Sequence, residues 1–242
     1  MFSLLKVNTK TFDVNESFSY SRDVFFDHTQ VESTMIKNEL KQIDMKIINA
    51  GWTYVDENKN NELFQIGYIS YETISYESIL RLKDERWFND EIINFYMVIL
   101  GNKFQKHWFF TTFFFEKLSK NSYETVKRYT KNVDIFKKEK VFIPINYVKS
   151  HWALAVINFK DKRYEYYDSL LNKESEHYCE NIFKHLRVYI HEESTTKKLK
   201  KYDDSDFTYY IPKDIPQQTD GYNCGTFINL KKVFIVVFIK NF

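Results

Sequence analysis

Residues 141–159 read VFIPINYVKSHWALAVINF and contain two apolar runs separated by a short polar break. The segments 141–147 and 152–159 are rich in β-branched and aromatic residues and nearly all apolar, which is typical of central strands. After a polar turn at 160–163, residues 164–167 continue the pattern as a third strand. These segments predict a small sheet at the centre of the domain.

Helical patterns lie on both sides of these strands. Asn89 followed by two acidic residues predicts a helix start, and the apolar spacing continues over 89–100 until Gly101 ends it. A shorter helix is predicted at 122–131, and a long one at 174–192 carries Cys179 on its apolar face, where that cysteine is most simply a core residue. The sequence therefore predicts a mixed domain of helices and strands.

The 242 residues include 43% hydrophobic and 19% aromatic side chains, enough to bury a core, so a disordered chain is excluded. The net charge of +2 is too small to indicate a nucleic-acid or membrane partner. No signal peptide is apparent, and no apolar run approaches the about 20 residues needed to cross a bilayer. With only two cysteines, the sequence favours a soluble protein of a reducing, intracellular compartment.

Two polar regions stand apart from the strand and helix patterns. Residues 1–66 are rich in Asn, Asp, Glu and Ser and contain one amphipathic helical pattern, which more simply packs on the following domain than serves as an interaction arm. We therefore divide the chain into 1–66, of unknown role, and a domain at 67–242. The lysines and aspartates of 197–206 predict a solvated loop, and 207–211 resumes as a strand.

The run Asp220-Gly-Tyr-Asn-Cys224-Gly225 is the first candidate for chemistry. It places a thiol after a tight Asp-Gly turn and before an apolar stretch that could form a helix. A cysteine at a helix N-terminus is biased toward the nucleophilic thiolate. A lone cysteine is more often a packing residue, so this site needs a base.

His151 and Asp168 supply a possible base and a group to orient it. If residues 158–161 form a four-residue hairpin loop, His151 and Asp168 lie directly opposite each other on adjacent strands, with side chains on one face. An Asp carboxylate at that separation can accept a hydrogen bond from the far ring nitrogen of a histidine. The pairing depends on the assumed loop.

Gln218 lies shortly before the cysteine, across the Gly221 turn. Its side-chain amide could donate to an oxyanion together with the Cys224 backbone N–H. Gln217 is the neighbouring alternative, and either glutamine could simply be an exposed loop residue.

Five motifs in order now carry a family resemblance. They are Trp87-Phe-Asn-Asp90, Pro144-Ile-Asn, His151-Trp152-Ala-Leu, Tyr167-Asp168-Ser-Leu and Pro216-Gln-Gln218-x-x-Gly-Tyr-Asn-Cys224-Gly. Together they resemble the ubiquitin-like-protein-specific proteases, the sentrin/SUMO proteases, over about two-thirds of the chain. The resemblance implies an α+β papain-like cysteine peptidase fold, with a small mixed or antiparallel sheet flanked by helices.

The resemblance also implies roles for the candidate residues. His151 would be the general base, Asp168 its orienter, Cys224 the nucleophile and Gln218 the oxyanion donor. The implied reaction is cleavage after the C-terminal Gly-Gly of a ubiquitin-like modifier, most simply SUMO, during maturation or deconjugation. The implied partners are the modifier and its conjugates, in the nucleus or the cytoplasm, with the enzyme acting as a monomer.

Three further residues would contact the substrate by the same resemblance. Trp87 and Trp152 would form a narrow tunnel that admits the side-chain-free Gly-Gly backbone and excludes larger residues. Asp90 matches an acidic position that meets a basic residue of the modifier. An acid in the first turn of a helix also stabilises that helix without any partner.

The sequence departs from the family after Ile228, where 229–242 is short and strongly β-branched. Two alternatives remain: a related enzyme that processes another ubiquitin-like protein or transfers acetyl groups, and a non-catalytic modifier-binding protein. The histidines at 177, 185 and 191 lack the spacing of a zinc site, and no nucleotide-binding motif occurs. We expect no metal and no cofactor.

Overall fold

The structure is a computed structural model, and it forms two compact units, Met1–Leu80 and Arg81–Phe242. The amphipathic helix predicted within 1–66 and the apolar stretch after residue 229 lie outside the described residues. The boundary predicted between residues 66 and 67 stays a prediction. The described residues are 6–7, 10–11, 68–69, 72–83, 85–147, 150–199, 201–215 and 217–229.

Within the described part of the first unit, two short antiparallel pairs of strands precede a single helical turn. Strands β1 (Lys6–Val7) and β2 (Lys10–Thr11) form one pair, and β3 (Tyr68–Ile69) and β4 (Glu72–Thr73) form the other. Helix α1 (Tyr76–Ile79) begins where the Ser75 side chain accepts a hydrogen bond from the Ser78 N–H.

The second unit contains a five-stranded mixed sheet in the order β5-β6-β7-β8-β9. The three central strands are antiparallel, whereas each outer strand is parallel to its neighbour. The strands predicted from 141–147, 152–159 and 164–167 are confirmed, and the strand predicted at 207–211 is β9. The bounds are β5 (His107–Phe109), β6 (Lys140–Tyr147), β7 (His151–Asn158), β8 (Arg163–Tyr167) and β9 (Thr208–Tyr210).

The predicted hairpin register between β7 and β8 is wrong by two residues. Asn158 pairs with Arg163 and Leu154 with Tyr167, so the loop is 159–162 instead of 158–161. Continued past β8, this register places Asp168 level with Ala153, diagonal to His151. Because side chains alternate with a period of two, a shift of two keeps both on the same face.

The side chain of Asn158 explains why this hairpin turns late. Its Oδ1 atom accepts from the Asp161 N–H at 2.9 Å, and its Nδ2 donates to Asp161 Oδ2 at 2.9 Å. Lys162 then adopts a left-handed conformation, with φ 53°. Asn158 therefore organises the turn from the last position of β7 and remains part of the strand.

Helix α2 (Asp90–Lys103) begins as predicted, since the Asn89 side chain accepts from the Ile92 N–H at 3.1 Å. Its predicted end at Gly101 is wrong, because the helix continues to Lys103. Gln105 donates from Nε2 to the carbonyl oxygens of Gly101 and Asn102, which satisfies the last turn without an end at the glycine.

Helix α2 and the helices that follow it pack on the two faces of the sheet. Together with the sheet they form two apolar cores. One core contains Cys179 on α5 and alternate residues of β6 and β7; the other contains α2, Trp152 and Cys224. Cys179 is fully buried, as predicted for a core residue. The bounds are α3 (Phe113–Lys120), α4 (Tyr123–Val126), α5 (Lys173–Lys198) and α6 (Cys224–Asn229).

The solvated loop predicted for 197–206 is wrong at its start and at Asp204, whereas residues 201, 203, 205 and 206 are exposed. Lys197 lies in the last turn of α5, with its Nζ 2.6 Å from Oε1 of the buried Glu193. Asp204 is only 3% exposed and accepts from Tyr164 Oη at 2.7 Å and Arg187 Nε at 2.9 Å, with His191 Nε2 at 2.8 Å. Burial raises the pKa of Asp204, but these hydrogen bonds outweigh it and lower the pKa to about 2.

Replacing Asp204 with Asn is expected to lower the free energy of unfolding at pH 7 by roughly 2–4 kcal/mol, because its charged partners lose a buried carboxylate. The folded-state pKa lies below the unfolded one, so this stabilisation is present above pH about 4 and is lost toward pH about 2. Urea unfolding at several pH values measures this difference in the free energy of unfolding. Asp206→Asn, on an exposed pair with Lys162, is the control and should change stability by less than about 1 kcal/mol. Equal effects of the two substitutions would contradict the prediction.

The start of α6 packs tightly on Phe88. A Cβ atom added at Gly225 would lie 2.7 Å from the Phe88 Cβ, which is fixed to the backbone and cannot rotate away. A side chain at Gly221, in contrast, would meet nothing within 4 Å. Gly225 is therefore required for the close approach of α6.

Gly225→Ala is expected to destabilise the fold by about 1–3 kcal/mol, because α6 must move away from Phe88. Gly221→Ala is the matched control and is expected to be close to neutral. Thermal unfolding followed by circular dichroism compares the two variants. A Gly225→Ala variant as stable as Gly221→Ala would show that α6 does not need this contact.

Candidate active site

The structure brings His151 and Asp168 into contact. His151 opens β7, Asp168 follows the last residue of β8, and His151 Nε2 lies 2.6 Å from Asp168 Oδ1. The buried carboxylate also accepts from the Leu170 N–H at 2.8 Å and from Tyr166 Oη at 3.3 Å. Asp168 is therefore fixed by several donors and holds the imidazole by one ring nitrogen, leaving Nδ1 for a second partner.

Cys224 supplies that second partner. It is the first residue of α6, so the prediction of a thiol at a helix start is confirmed, and its thiol is hydrogen bonded to His151. Burial raises the pKa of Cys224, but the contact with His151 and the backbone N–H groups of Trp152 and Gly225 outweigh it and lower the pKa below its usual value.

The pKa of His151 is shifted in the opposite direction to that of Cys224. Burial lowers the pKa of His151, but the hydrogen bonds to Asp168 and Cys224 outweigh it and raise the pKa to about 9. At neutral pH the imidazole therefore favours its charged form, beside a thiol whose lowered pKa makes the thiolate easier to form. Such a pair can attack a carbonyl carbon and then donate a proton.

The turn before Cys224 is built around the Asp220 carboxylate. Its Oδ1 accepts from the N–H groups of Tyr222 at 3.0 Å and Asn223 at 2.8 Å, and its Oδ2 accepts from Asn223 Nδ2 at 2.7 Å. The hydrogen bonds, that of the Asn223 side chain above all, hold the pKa of Asp220 below its usual value. The sequence predicted a turn here, but not that this carboxylate holds it.

The two candidate glutamines differ in their surroundings. Gln218 is buried; its Nε2 donates to the Asp220 carbonyl oxygen at 2.7 Å, and its Oε1 accepts from Ser169 Oγ at 2.6 Å. Gln217 is exposed and donates to the Ile215 carbonyl oxygen. The structure therefore links Gln218, and not Gln217, to the residues beside Asp168 and Cys224.

The predicted substrate-contacting residues are Trp87 and Asp90, which are close to Phe88 along the chain, and Trp152, which is hydrogen bonded to Phe88. Trp152 is 5% exposed, and its indole Nε1 donates to the Phe88 carbonyl oxygen at 2.9 Å, whereas Trp87 is 48% exposed. Asp90 is the first residue of α2. Sequence reasoning missed Phe88, although it lies inside the first quoted motif, because the contact is made by its backbone.

No group of three or more His, Cys, Asp and Glu side chains that could hold a metal ion occurs among the described residues. Of the three histidines of α5, His185 contacts the Asn181 carbonyl oxygen and His191 contacts Asp204. Within the same described residues, no helix is long and apolar enough to cross a membrane.

Comparison with known proteins gives consistent matches. The chain is 38% identical to mouse sentrin-specific protease 2 over 161 residues, which is 64% of this chain and 26% of that protein. It is 39% identical to Arabidopsis thaliana ubiquitin-like-specific protease 1A over 166 residues, 62% of this chain and 32% of the relative. The chain thus spans about a quarter to a third of the length of these relatives.

The fold matches a solved structure of the same kind. The yeast Ulp1 protease domain, determined in complex with Smt3, the yeast ortholog of SUMO, superposes with a TM-score of 0.65 and 30% identity, over 76% of this chain and 82% of that one. This neighbour and the mixed sheet confirm the expected α+β papain-like cysteine peptidase fold. A family model described as "Ulp1 protease family, C-terminal catalytic domain" matches residues 86–235. Because this match covers more than half of the chain, the chain belongs to the Ulp1 protease family.

Proposed function

We propose that this chain is a cysteine protease that hydrolyses the peptide or isopeptide bond after the C-terminal Gly-Gly of a ubiquitin-like modifier, namely SUMO. The observation that carries the proposal is the hydrogen-bonded series Asp168–His151–Cys224. The solved relative bound to Smt3 supports SUMO as the modifier.

The reaction follows the chemistry of the site. The Cys224 thiolate attacks the carbonyl carbon of the terminal glycine, and the oxyanion accepts from Gln218 Nε2 and the Cys224 N–H. The C–N bond breaks as His151 gives its proton to the leaving amine, which leaves the modifier as a thioester on Cys224. Water then loses a proton to His151 and attacks the thioester. The C–S bond breaks and releases the Cys224 thiolate and the carboxylic acid of the modifier, which gives its proton to solvent.

Substrate selection in this proposal uses the residues around Phe88. The exposed Trp87 and the buried Trp152 would enclose the glycine backbone, and larger side chains would be excluded by size. Asp90 would contact a basic residue of the modifier. The proposed enzyme acts as a monomer, without a cofactor, inside the cell, in the nucleus or the cytoplasm.

The first test uses SUMO that ends in a thiol-reactive group. The wild-type chain is expected to form a covalent SUMO adduct, detected by its mass, and Cys224→Ala is expected to form none because the nucleophile is gone. Cys179→Ala, which removes the other, fully buried cysteine, is the control and should still react.

Ubiquitin and a second ubiquitin-like modifier with the same reactive end test the substrate class. An adduct with one of these and none with SUMO would move the proposal to another modifier. Absence of any adduct from a folded chain that still binds SUMO would favour the non-catalytic alternative.

The pH dependence of hydrolysis tests the His151–Asp168 contact. The rate should fall as pH rises through about 9, because His151 then loses the proton that it gives to the leaving amine. Asp168→Asn removes a hydrogen bond that raises the pKa of His151, so this alkaline limb should move to lower pH and kcat should fall by about 10²–10⁴-fold. Asp206→Asn, at an exposed aspartate, should leave the profile unchanged. An unmoved alkaline limb in Asp168→Asn would contradict this assignment.

A further inference from the structure

Two adjacent residues after β8 contact two different parts of the site. Asp168 contacts His151 Nε2 at 2.6 Å, and Ser169 Oγ donates to Gln218 Oε1 at 2.6 Å. The backbone adds a second link, since the Gln218 N–H donates to the Ser169 carbonyl oxygen at 3.0 Å. The segment that orients the histidine therefore also holds the glutamine.

The surroundings of Gln218 determine which way its amide points. The Asp220 carbonyl oxygen can only accept, so the amide atom 2.7 Å from it is the nitrogen. The amide oxygen then faces Ser169, whose hydroxyl donates to it. The Nε2 atom carries a second hydrogen, and no acceptor among the described residues engages it. This hydrogen remains available for an oxyanion.

Burial increases the importance of the hydrogen bond from Ser169 to the Gln218 amide oxygen. Ser169 and Gln218 are both buried, so water competes little for the amide oxygen. Without the hydroxyl, that oxygen would lack a side-chain donor, and only the contact of Nε2 with Asp220 would oppose rotation of the amide about its last torsion. After such rotation, the second Nε2 hydrogen of Gln218 would no longer point in a single fixed direction.

We propose that Ser169 is a positioning residue for the oxyanion donor: its hydroxyl fixes the Gln218 amide so that the second Nε2 hydrogen points at the developing oxyanion. This inference rests on the proposed function for the reaction it serves, but the contact itself is a property of the free protein. Ser169 acts through Gln218 and touches neither the substrate nor the thiol.

Steady-state hydrolysis of a SUMO substrate tests the proposal. Ser169→Ala is expected to lower kcat by about 10-fold, the effect of one hydrogen bond, with KM and the pH profile unchanged because His151 and Cys224 keep their contacts. Gln218→Ala is expected to lower kcat by about 10²–10³-fold. Adding Ser169→Ala to Gln218→Ala should change nothing more, and Ser169→Thr, which retains a hydroxyl, should recover most of the rate.

Ser194 provides the matched control. It is also buried, and its hydroxyl donates to the His191 carbonyl oxygen and accepts from the Tyr202 N–H. Ser194→Ala should therefore destabilise the fold without lowering kcat. If Ser169→Ala lowers kcat by the same factor in the presence and absence of Gln218, its effect does not pass through Gln218 and the proposal is wrong.

A measurement without substrate separates this inference from the proposed function. In ¹⁵N spectra, the side-chain NH₂ signals of Gln218 are those missing from Gln218→Ala. Their hydrogen exchange with water should be several-fold faster in Ser169→Ala than in the wild type and in Ser194→Ala. Unchanged exchange would overturn the role of Ser169, whereas a chain with protected Gln218 signals that cleaves no modifier would overturn only the function.

Discussion

The contact between His151 Nε2 and Asp168 Oδ1 sets the geometry of the whole site. It joins the first residue of β7 to the residue that follows β8, so the hairpin between these strands fixes the distance between the two side chains. A buried carboxylate is costly unless several donors meet it, and Asp168 has three, from His151, Tyr166 and Leu170. The same contact fixes the ring and leaves its other nitrogen for the thiol.

Strand β7 serves two packing surfaces at once, and this constrains the site further. Ala153, Ala155 and Ile157 belong to the core that contains α5, while Trp152 and Leu154 belong to the core that contains α2 and Cys224. A slip of one residue would exchange these two sets and bury the wrong side chains on both faces. The position of His151 at the start of β7 is therefore fixed by packing along the whole strand.

The sequence was sufficient to predict the central strands, because their continuous apolar runs are characteristic of strands covered on both faces. The loop register was not predictable from the apolar pattern. It depends on the Asn158 side chain, which holds the turn at Asp161, and on the left-handed backbone of Lys162. The error of two residues preserved the face, so His151 and Asp168 were still correctly predicted to meet.

Buried polar contacts between distant segments were the features that the sequence concealed. Asp204 looked like one acid in a charged loop, yet it accepts hydrogen bonds from Tyr164 and Arg187. Ser169 and Gln218 are 49 residues apart, and no local pattern signals that they meet. Such pairs depend on how the whole sheet brings loops together.

The buried contacts of Asp168 and Gln218 also explain how the proposed site can be ready before a substrate arrives. A buried amide or carboxylate without partners would be costly, so Asp168 and Gln218 are held by hydrogen bonds that already exist in the free protein. Groups fixed in this way need no reorganisation when charge develops on a reacting oxygen, which is the main source of electrostatic stabilisation in enzymes. In the proposed reaction, the hydrogen bonds that satisfy the fold would thus be the same ones that orient the reacting groups.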